Sequence, residues 1–168
     1  LSQQARGLLD FPRGAQMGLE EAELVRRVLR DSGLRQGTLI DVGAHFGTVT
    51  ALFEPHGWTV FAFEPDVNNR MRFREKFDGA PSVTIDPRAV GEIDGEIVPL
   101  YVSPVSTGIS GLVPFHDSHV IAAEVSTVRL ETYCGDEGID NVDFLKIDTE
   151  GFDLFVLRSF PWSLCAPS

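Results

Sequence analysis

The sequence predicts an α/β protein with a parallel sheet covered by helices on both faces. Short apolar runs rich in Val, Ile and Phe alternate with segments of helical pattern, which is typical of buried parallel strands. With 168 residues, 43% hydrophobic and 23% charged, the chain has the composition of an ordinary globular domain. We expect one domain over 1–168, with an N-terminal helical segment at 1–36 and the sheet-containing core at 37–162.

The N-terminal segment is expected to contain a helix at 17–32. Two pairs of apolar residues lie four positions apart, Leu24 with Val28 and Val25 with Leu29, so they would form one apolar stripe. Glutamates occupy the first turns and arginines the last, an order that complements the helix dipole. We expect this helix to pack ahead of the sheet.

Four strands and their helices follow. The predicted strands are 38–42, 58–63, 82–85 and 142–147, and the predicted helices are 48–55, 66–77, 130–137 and 151–160. Between the third and fourth strands, Ala89–Glu92 and Glu96–Val102 flank Ile93-Asp94-Gly95, which predicts an inserted β-hairpin. Residues 103–125 are rich in Ser, Gly, Pro and His, and we expect them to form a loop over the functional site.

The net charge and the targeting signals of the sequence restrict the kinds of partner and the cellular location that we expect. The 25 acidic and 14 basic residues give a formal net charge of −11, a field that repels phosphate backbones, so we expect no nucleic acid partner. No run approaches the roughly 18 apolar residues of a membrane span, and no basic-then-apolar leader is visible behind Leu1. Cys134 and Cys165 lack metal or redox spacing, which favours reduced thiols. We expect a cytoplasmic protein.

The first candidate motif is Asp41-Val42-Gly43-Ala44-His45-Phe46-Gly47, at a strand-to-helix turn. Gly43 would let the backbone turn sharply and approach a ligand, and Gly47 would permit close packing where the helix starts. The spacing G-x-x-x-G differs from the dinucleotide fingerprint G-x-G-x-x-G, which argues against a bound pyrophosphate. A purely structural turn is the alternative.

Two further motifs place carboxylates at strand ends. Glu64 ends the second strand, where an acidic residue can accept bonds from ribose hydroxyls; the alternative is an exposed loop carboxylate. Asp148 and Glu150 follow the fourth strand, and residues two apart share one face of a strand, so both carboxylates would enter one pocket. Alternatively, Asp148 or Thr149 caps the next helix, with Glu150 a favourable first-turn charge.

Together these motifs resemble those of the FkbM-type methyltransferases, over residues 38–162. The matching pieces are Asp41–Gly47, Ala62–Pro65, Ala89–Gly91 before Asp94-Gly95, and Leu145–Gly151. The last piece is the most specific, since the first two alone indicate only a class I methyltransferase. One departure is His45, where the family usually has Asn; His can still donate a hydrogen bond, but its charge varies near neutral pH.

The resemblance implies a Rossmann-like class I methyltransferase sheet of order 3-2-1-4, S-adenosylmethionine as cofactor, and O-methylation, often of sugar or natural-product hydroxyls. By position, the methionine end of the cofactor would be surrounded by Asp41, Gly43, His45 and Gly47. Glu64 would hold the ribose, and Asp148 would lie near the sulfonium and the acceptor. The adenine would be bordered by Asp86, Arg88 and Ala89.

Methyl transfer to a sugar hydroxyl would benefit from a general base, because the hydroxyl is a poor nucleophile. The candidates are Asp148, Glu150, His116 and His119, although the pattern favours ordinary solvated loop residues for the two histidines. Asp148 with Glu150 could also bind a divalent cation through carboxylate oxygens, but two ligands are too few and we assign no metal.

Two other functions stay open. A dinucleotide-dependent oxidoreductase is disfavoured by the glycine spacing, and because Tyr133 has Glu137 rather than Lys four positions later. A non-catalytic truncated module that binds cofactor or a partner without turnover is the stronger rival, since similar proteins continue with further strands beyond 151–160. We expect the missing strands to leave one edge of 142–147 unpaired and the chain to self-associate there, unless the tail or a neighbouring subunit covers it.

Overall fold

The structure, a computed structural model, describes residues 13–103, 106–114 and 117–165. The helices are α1 Arg13–Ser32, α2 Thr50–Phe53, α3 Val67–Lys76, α4 Leu130–Glu137 and α5 Asp153–Ser159. The strands are β1 Thr38–Val42, β2 Thr59–Phe63, β3 Val83–Asp86, β4 Ala89–Val90, β5 Ile97–Ser103, β6 Ser106–Gly111, β7 Val120–Val128 and β8 Phe144–Ile147. Single 3-10 turns follow α2 at Glu54–His56 and α5 at Trp162–Cys165.

The central sheet is parallel, in the order β3-β2-β1-β8. Its middle strands are buried on both faces: Leu39 joins the apolar cluster on one side and Ile40 the cluster on the other, because successive side chains of a strand point in opposite directions. In the register of the sheet, Asp41 of β1 lies beside Ala62 of β2 and Lys146 of β8. This mixed α/β architecture is consistent with a Rossmann-like methyltransferase fold.

Helices cover both faces of this sheet, as predicted. On one face α4 and α5 contribute buried apolar side chains, among them Leu130, Tyr133 and Val156. On the other face the buried side chains include Val25 of α1 and Phe73 of α3. Burial of apolar area on both sides is what stabilises a parallel sheet, since its strands have no solvated face.

The segment between β3 and α4 differs from the prediction. It forms a second sheet in the order β4-β7-β5-β6, in which β5 is antiparallel to β6 and β7, and β4 is parallel to β7. Ala89–Glu92 and Glu96–Val102 do not pair with each other, so the predicted hairpin is wrong. Much of 103–125 is strand rather than the loop expected from its composition.

Hydrogen bonds around Asp94-Gly95 explain the difference. Gly95 does make a turn, with φ of +71°. Its N–H, however, donates to the Thr127 carbonyl at 2.9 Å, so the chain after the turn pairs with β7 rather than with β4. The Asp94 carboxylate accepts bonds from Arg129 N and the Thr132 hydroxyl, both at 2.7 Å, at the start of α4. A local turn signal specifies a reversal, and long-range partners decide the pairing.

Helix α1 begins before the predicted helix and buries only half of the expected apolar stripe. Val25 is buried and Leu29 partly so, whereas Leu24 and Val28 are 63% and 42% exposed. The two pairs therefore lie on different faces of the helix, and only the pair with Val25 packs against the sheet. Gly33, just past the helix, has φ of +73°, the left-handed conformation in which glycine commonly ends a helix.

Within the described residues no helix is long and apolar enough to cross a membrane. Cys134 is a buried residue of the core, and the side chain of Cys165 lies outside the described part of the chain.

Candidate active site at the carboxyl edge of the central sheet

The carboxyl ends of β1, β2 and β8 bring the three predicted motifs to one edge of the sheet. Gly43 N and Ala44 N both donate to the Phe63 carbonyl at 3.0 Å, which joins the glycine turn to the end of β2. Asp148 N donates to the Val42 carbonyl at 3.0 Å, which joins the same turn to the end of β8. Ligands of open α/β sheets bind at such an edge.

The glycine turn is required by the protein itself. Gly43 has φ of +77°, and a Cβ there would overlap the Asp148 carbonyl. The glycine therefore lets the backbone turn sharply, as expected, and lets the β8–α5 connection pass close by. That it also lets the backbone approach a ligand stays a prediction. Gly47, with φ of +72°, lies against the rings of Phe73 and Phe77, which is the close packing predicted for it.

Asp41 lies beneath this turn and is fully buried. Its Oδ2 accepts a hydrogen bond from the Thr50 hydroxyl at 2.8 Å, and its Oδ1 lies 3.3 Å from Lys146 Nζ. Oδ2 is thus hydrogen-bonded, whereas Oδ1 is compensated by the charge of Lys146 without a hydrogen bond of good geometry. Asp41 fixes the junction of β1, α2 and β8, and its neighbours separate it from solvent.

Lys146 is the site residue that sequence reasoning missed. Its side chain is 8% exposed, and Nζ donates to the Gly43 carbonyl at 2.7 Å and lies 3.6 Å from Glu21 Oε1 of α1. Burial acts to lower the pKa of Lys146, but the carboxylates of Asp41, Glu21 and Asp148 outweigh it and raise the pKa. The available signal was a lysine inside an apolar strand, because a buried charge needs an opposite one nearby.

Glu64 is buried, 5% exposed, so the exposed-loop alternative is wrong. Oε2 accepts the His45 N–H at 2.9 Å and Oε1 the Asp66 N–H at 2.8 Å. Burial raises the pKa of Glu64 to about 7, although these two backbone bonds and the Asn69 side chain favour its charged form. The main chain of His45 adopts φ of +50° as it donates this bond.

The residues expected to border adenine lie at the end of β3. The Asp86 carboxylate forms a two-point ion pair with Arg88. Nε of Arg88 donates to Oδ1 at 3.0 Å and a terminal nitrogen donates to Oδ2 at 2.7 Å. The same guanidinium lies 5.7 Å from the centre of the Tyr133 ring. Ala89 is buried in β4. Asp86 therefore positions Arg88, and a ligand here would meet the guanidinium rather than a free carboxylate.

Asp148 and Glu150 lie beyond the end of β8, so strand alternation does not govern them. Glu150 has φ of +52°; burial first, and then the charges of Asp148 and Asp153, raise the pKa of Glu150, which shows that the carboxylates are close. Asp148 is exposed. The capping residue of α5 is Phe152, and Thr149 donates its N–H to Asp153 at 2.9 Å, so neither Asp148 nor Thr149 caps the helix.

One of the two predicted loop histidines lies near this cluster. The charge of His119 lowers the pKa of Glu150, against the effect of burial, and its ring centre lies 6.3 Å from that of Tyr101. Val113, from the same β6–β7 connection, faces Gly151. The segment therefore approaches the site as expected, although it includes strands. His116 lies outside the described residues.

Tyr133 is a core residue. Its ring packs edge to face on Phe63 with centres 4.7 Å apart, and burial raises its pKa well above the usual value. A phenol held neutral inside the core is poorly placed to exchange a proton with a substrate. This geometry adds to the glycine spacing as an argument against the oxidoreductase alternative.

Sequence comparison agrees with the geometry. Residues 41–168 match the methyltransferase FkbM domain family. The chain is 29% identical over 140 residues to the hexuronic acid methyltransferase AglP of Haloferax volcanii, a match that covers 80% of this chain and 54% of that protein. The chain thus spans about half the length of this relative. Because the family match covers most of its residues, the chain belongs to the FkbM methyltransferase domain family.

Proposed function

We propose that this chain binds S-adenosylmethionine at the carboxyl edge of the central sheet and serves transfer of its methyl group to an oxygen of a sugar or related natural product. One observation carries the proposal: the His45 N–H of the glycine turn binds the buried Glu64 carboxylate at 2.9 Å. The turn and the carboxylate therefore form a single unit, able to contact both the methionine and the ribose of one cofactor molecule.

The charge of the edge suits this cofactor. Lys146 is the cation among the four carboxylates of Glu21, Asp41, Asp148 and Glu150, so this group of side chains has a negative balance. S-adenosylmethionine carries a sulfonium and an ammonium group, and the negative field favours both. When bound, it supplies a methyl group that is already electrophilic.

The buried residues are proposed to bind and orient. Each Glu64 oxygen accepts one backbone N–H, and the Asn69 side chain also interacts with the carboxylate. The lone pair that remains would accept a ribose hydroxyl. Arg88, held by Asp86, would border the adenine with the planar face of its guanidinium. Asp41 and Lys146 would keep the turn from Gly43 to Gly47 in shape rather than contact the methionine directly.

The exposed residues are proposed to act on the acceptor. Asp148 would accept a hydrogen bond from a hydroxyl next to the reacting one and so align the reacting oxygen with the methyl group. Glu150 would take the proton, because a carboxyl group with a raised pKa is a better base than an ordinary carboxylate. The name of the relative, a hexuronic acid methyltransferase, supports a sugar acid as the acceptor class to test first.

Calorimetric titration with S-adenosylmethionine, S-adenosylhomocysteine and NAD tests the cofactor. We expect the first two to bind and NAD not to bind, and preference for NAD would overturn the proposal. Turnover is then measured with hexuronic acids and neutral sugars as acceptors. Binding of S-adenosylmethionine without turnover on any of them would favour the alternative, a module that holds cofactor or a partner.

The outer edge of β8 is proposed to be a self-association surface of this 168-residue chain. Val142 N donates to the Leu164 carbonyl at 3.2 Å, so the tail covers the chain just before β8, but in the described part of the fold no strand pairs with this edge. Phe160 is buried, whereas Trp162 and Leu154 expose more than half of their surface. Light scattering across a concentration series should show association, and a monomer throughout would contradict it.

A further inference from the structure

A cavity lies at the opposite end of the central sheet from the candidate active site. It has a volume of about 470 Å³ and is formed by α1, α2 and the segments that precede β1 and β2. Its lining residues are Arg26, Leu29, Arg30, Arg35, Leu52, His56 and Trp58, with Gly33, Leu34 and Ala51. β1 and β2 each span five residues, or about 16 Å, so this cavity and the carboxyl edge are separate sites.

The polar part of the lining is positively charged. Three arginines and one histidine are among the lining residues, and the described lining includes no acidic residue. Glu23, from outside, lies 3.8 Å from Arg26 and 3.6 Å from Arg30, so one carboxylate is shared by two arginines. A local surplus of positive charge is unusual in a chain of net charge −11, and it favours an anion.

The remaining lining is apolar and structurally fixed. Trp58 is 2% exposed and packs edge to face on Phe53 with centres 4.8 Å apart. Its indole N–H donates to the Arg35 carbonyl at 3.2 Å, which holds the backbone of Arg35 at the cavity. A concave site of this volume, with apolar walls and a few convergent polar groups, is typical of small-molecule sites.

We propose that this cavity binds a small organic anion, with a phosphate or carboxylate group bound by the arginines and a ring or apolar body against Leu29, Leu52 and Trp58. Guanidinium groups bind both kinds of anion through paired, charge-assisted hydrogen bonds. The site is independent of the proposed methyl transfer, because it shares no residue with the carboxyl edge.

The test uses four probes and the fluorescence of Trp58. The Trp162→Phe variant leaves Trp58 as the single tryptophan of the chain, and binding is followed by its emission and by calorimetry. The probes are phenyl phosphate, benzoate, benzyl alcohol and inorganic phosphate. We expect saturable binding of phenyl phosphate or benzoate at one site, the tighter of the two identifying the anion, with benzyl alcohol and inorganic phosphate at least about tenfold weaker.

The matched variants are Arg26→Gln with Arg30→Gln, compared with Arg27→Gln. Arg27 is on the same helix but outside the lining, where it lies 3.7 Å from Asp31. The double variant should weaken binding at least about tenfold, and Arg27→Gln less than about twofold. Three results would overturn the proposal: no saturable binding, an equal loss of affinity in the double variant and in Arg27→Gln, or benzyl alcohol binding as tightly as the anions.

Discussion

The carboxyl edge of the central sheet has two halves, one with buried and paired carboxylates and one with carboxylates that are at least partly exposed. In the buried half, each carboxylate oxygen of Asp41 and Glu64 has a partner inside the protein. In the other half, Asp148 and Glu150 lie close together and are at least partly exposed. Buried charges must be paired to be tolerated, whereas the pKa of Glu150, raised first by burial and then by the charges of Asp148 and Asp153, suits proton transfer. The first half therefore maintains the shape of the site, and the second is available for a substrate.

Removing the buried cation should have the largest effect. Lys146→Met leaves Asp41 charged, buried and without its ion pair, and also removes the donor to the Gly43 carbonyl. We expect the free energy of unfolding to fall by about 3–5 kcal/mol, measured by denaturant titration. Asp41→Asn combined with Lys146→Met should recover part of this loss, because it contains no unpaired buried charge. A double variant less stable than Lys146→Met would argue against the pairing.

Gly43→Ala compared with Gly79→Ala measures how tightly the buried half is packed. Both glycines have similar positive φ, +77° and +74°, but a Cβ at position 79 meets open space and one at 43 meets the Asp148 carbonyl. Gly79→Ala should cost about 1–2 kcal/mol, the cost of a left-handed alanine. Gly43→Ala should cost at least about 3 kcal/mol. Equal losses of stability would show that the β8–α5 connection simply moves aside.

In the exposed half we expect an effect on turnover without an effect on stability. Asp148→Asn should lower methyl transfer about 100-fold, because an amide in place of the carboxylate misaligns the acceptor. It should leave the free energy of unfolding within about 0.5 kcal/mol, because this carboxylate neither caps α5 nor is buried. Asp94→Ala is the matched control: it removes the acceptor of the Arg129 N–H and the Thr132 hydroxyl at the start of α4. It should lose about 1 kcal/mol of stability and keep its turnover. Full turnover in Asp148→Asn would remove Asp148 from the proposed mechanism.

The two halves also differ in how far the sequence predicts them. The bounds of β1 and α4 coincide with their predicted ranges, because an apolar run or a helical periodicity is a local property. The meeting of Asp41, Glu64 and Asp148 at one edge follows from parallel strands ending at the same side. Which side chains pair with one another at that edge does not follow from the sequence. Lys146, for example, pairs with Glu21, from a helix far away in the sequence, and no local pattern specifies such a contact.

The second sheet shows the same boundary between local and long-range information. Asp94-Gly95 was identified correctly as a turn, but its hydrogen bonds go to β7 and to the start of α4. The Ser, Gly and Pro content of 103–125 predicted a loop, yet pairing with β5 makes strands of β6 and β7. Strand formation there depends on the neighbouring strand more than on the residue's own preference.

Glu64 provides the final and smallest effect, and it tests whether the buried half also binds the ligand. Burial raises the pKa of Glu64 from 4.5 to about 7. Ionised Glu64 is the better acceptor for ribose hydroxyls, so affinity for S-adenosylhomocysteine should increase up to about pH 7, by at most about tenfold per pH unit, and then level off. Stability should change in the opposite direction: a raised pKa gives a contribution that is fully present below pH 4.5 and is lost as the pH rises through 7.

The control is Glu64→Gln, whose side chain does not titrate. In this variant the Glu64 part of the pH dependence should disappear from both the affinity and the stability. The pH dependence that comes from other groups, including the ligand's amino group, should persist. Calorimetry and thermal unfolding from pH 5 to 8 on both proteins measure the difference. If the affinity follows the same pH profile in wild type and in Glu64→Gln, Glu64 does not bind the ribose. Its role would then be to hold the backbone of His45 and Asp66, and another residue would have to contact the ribose.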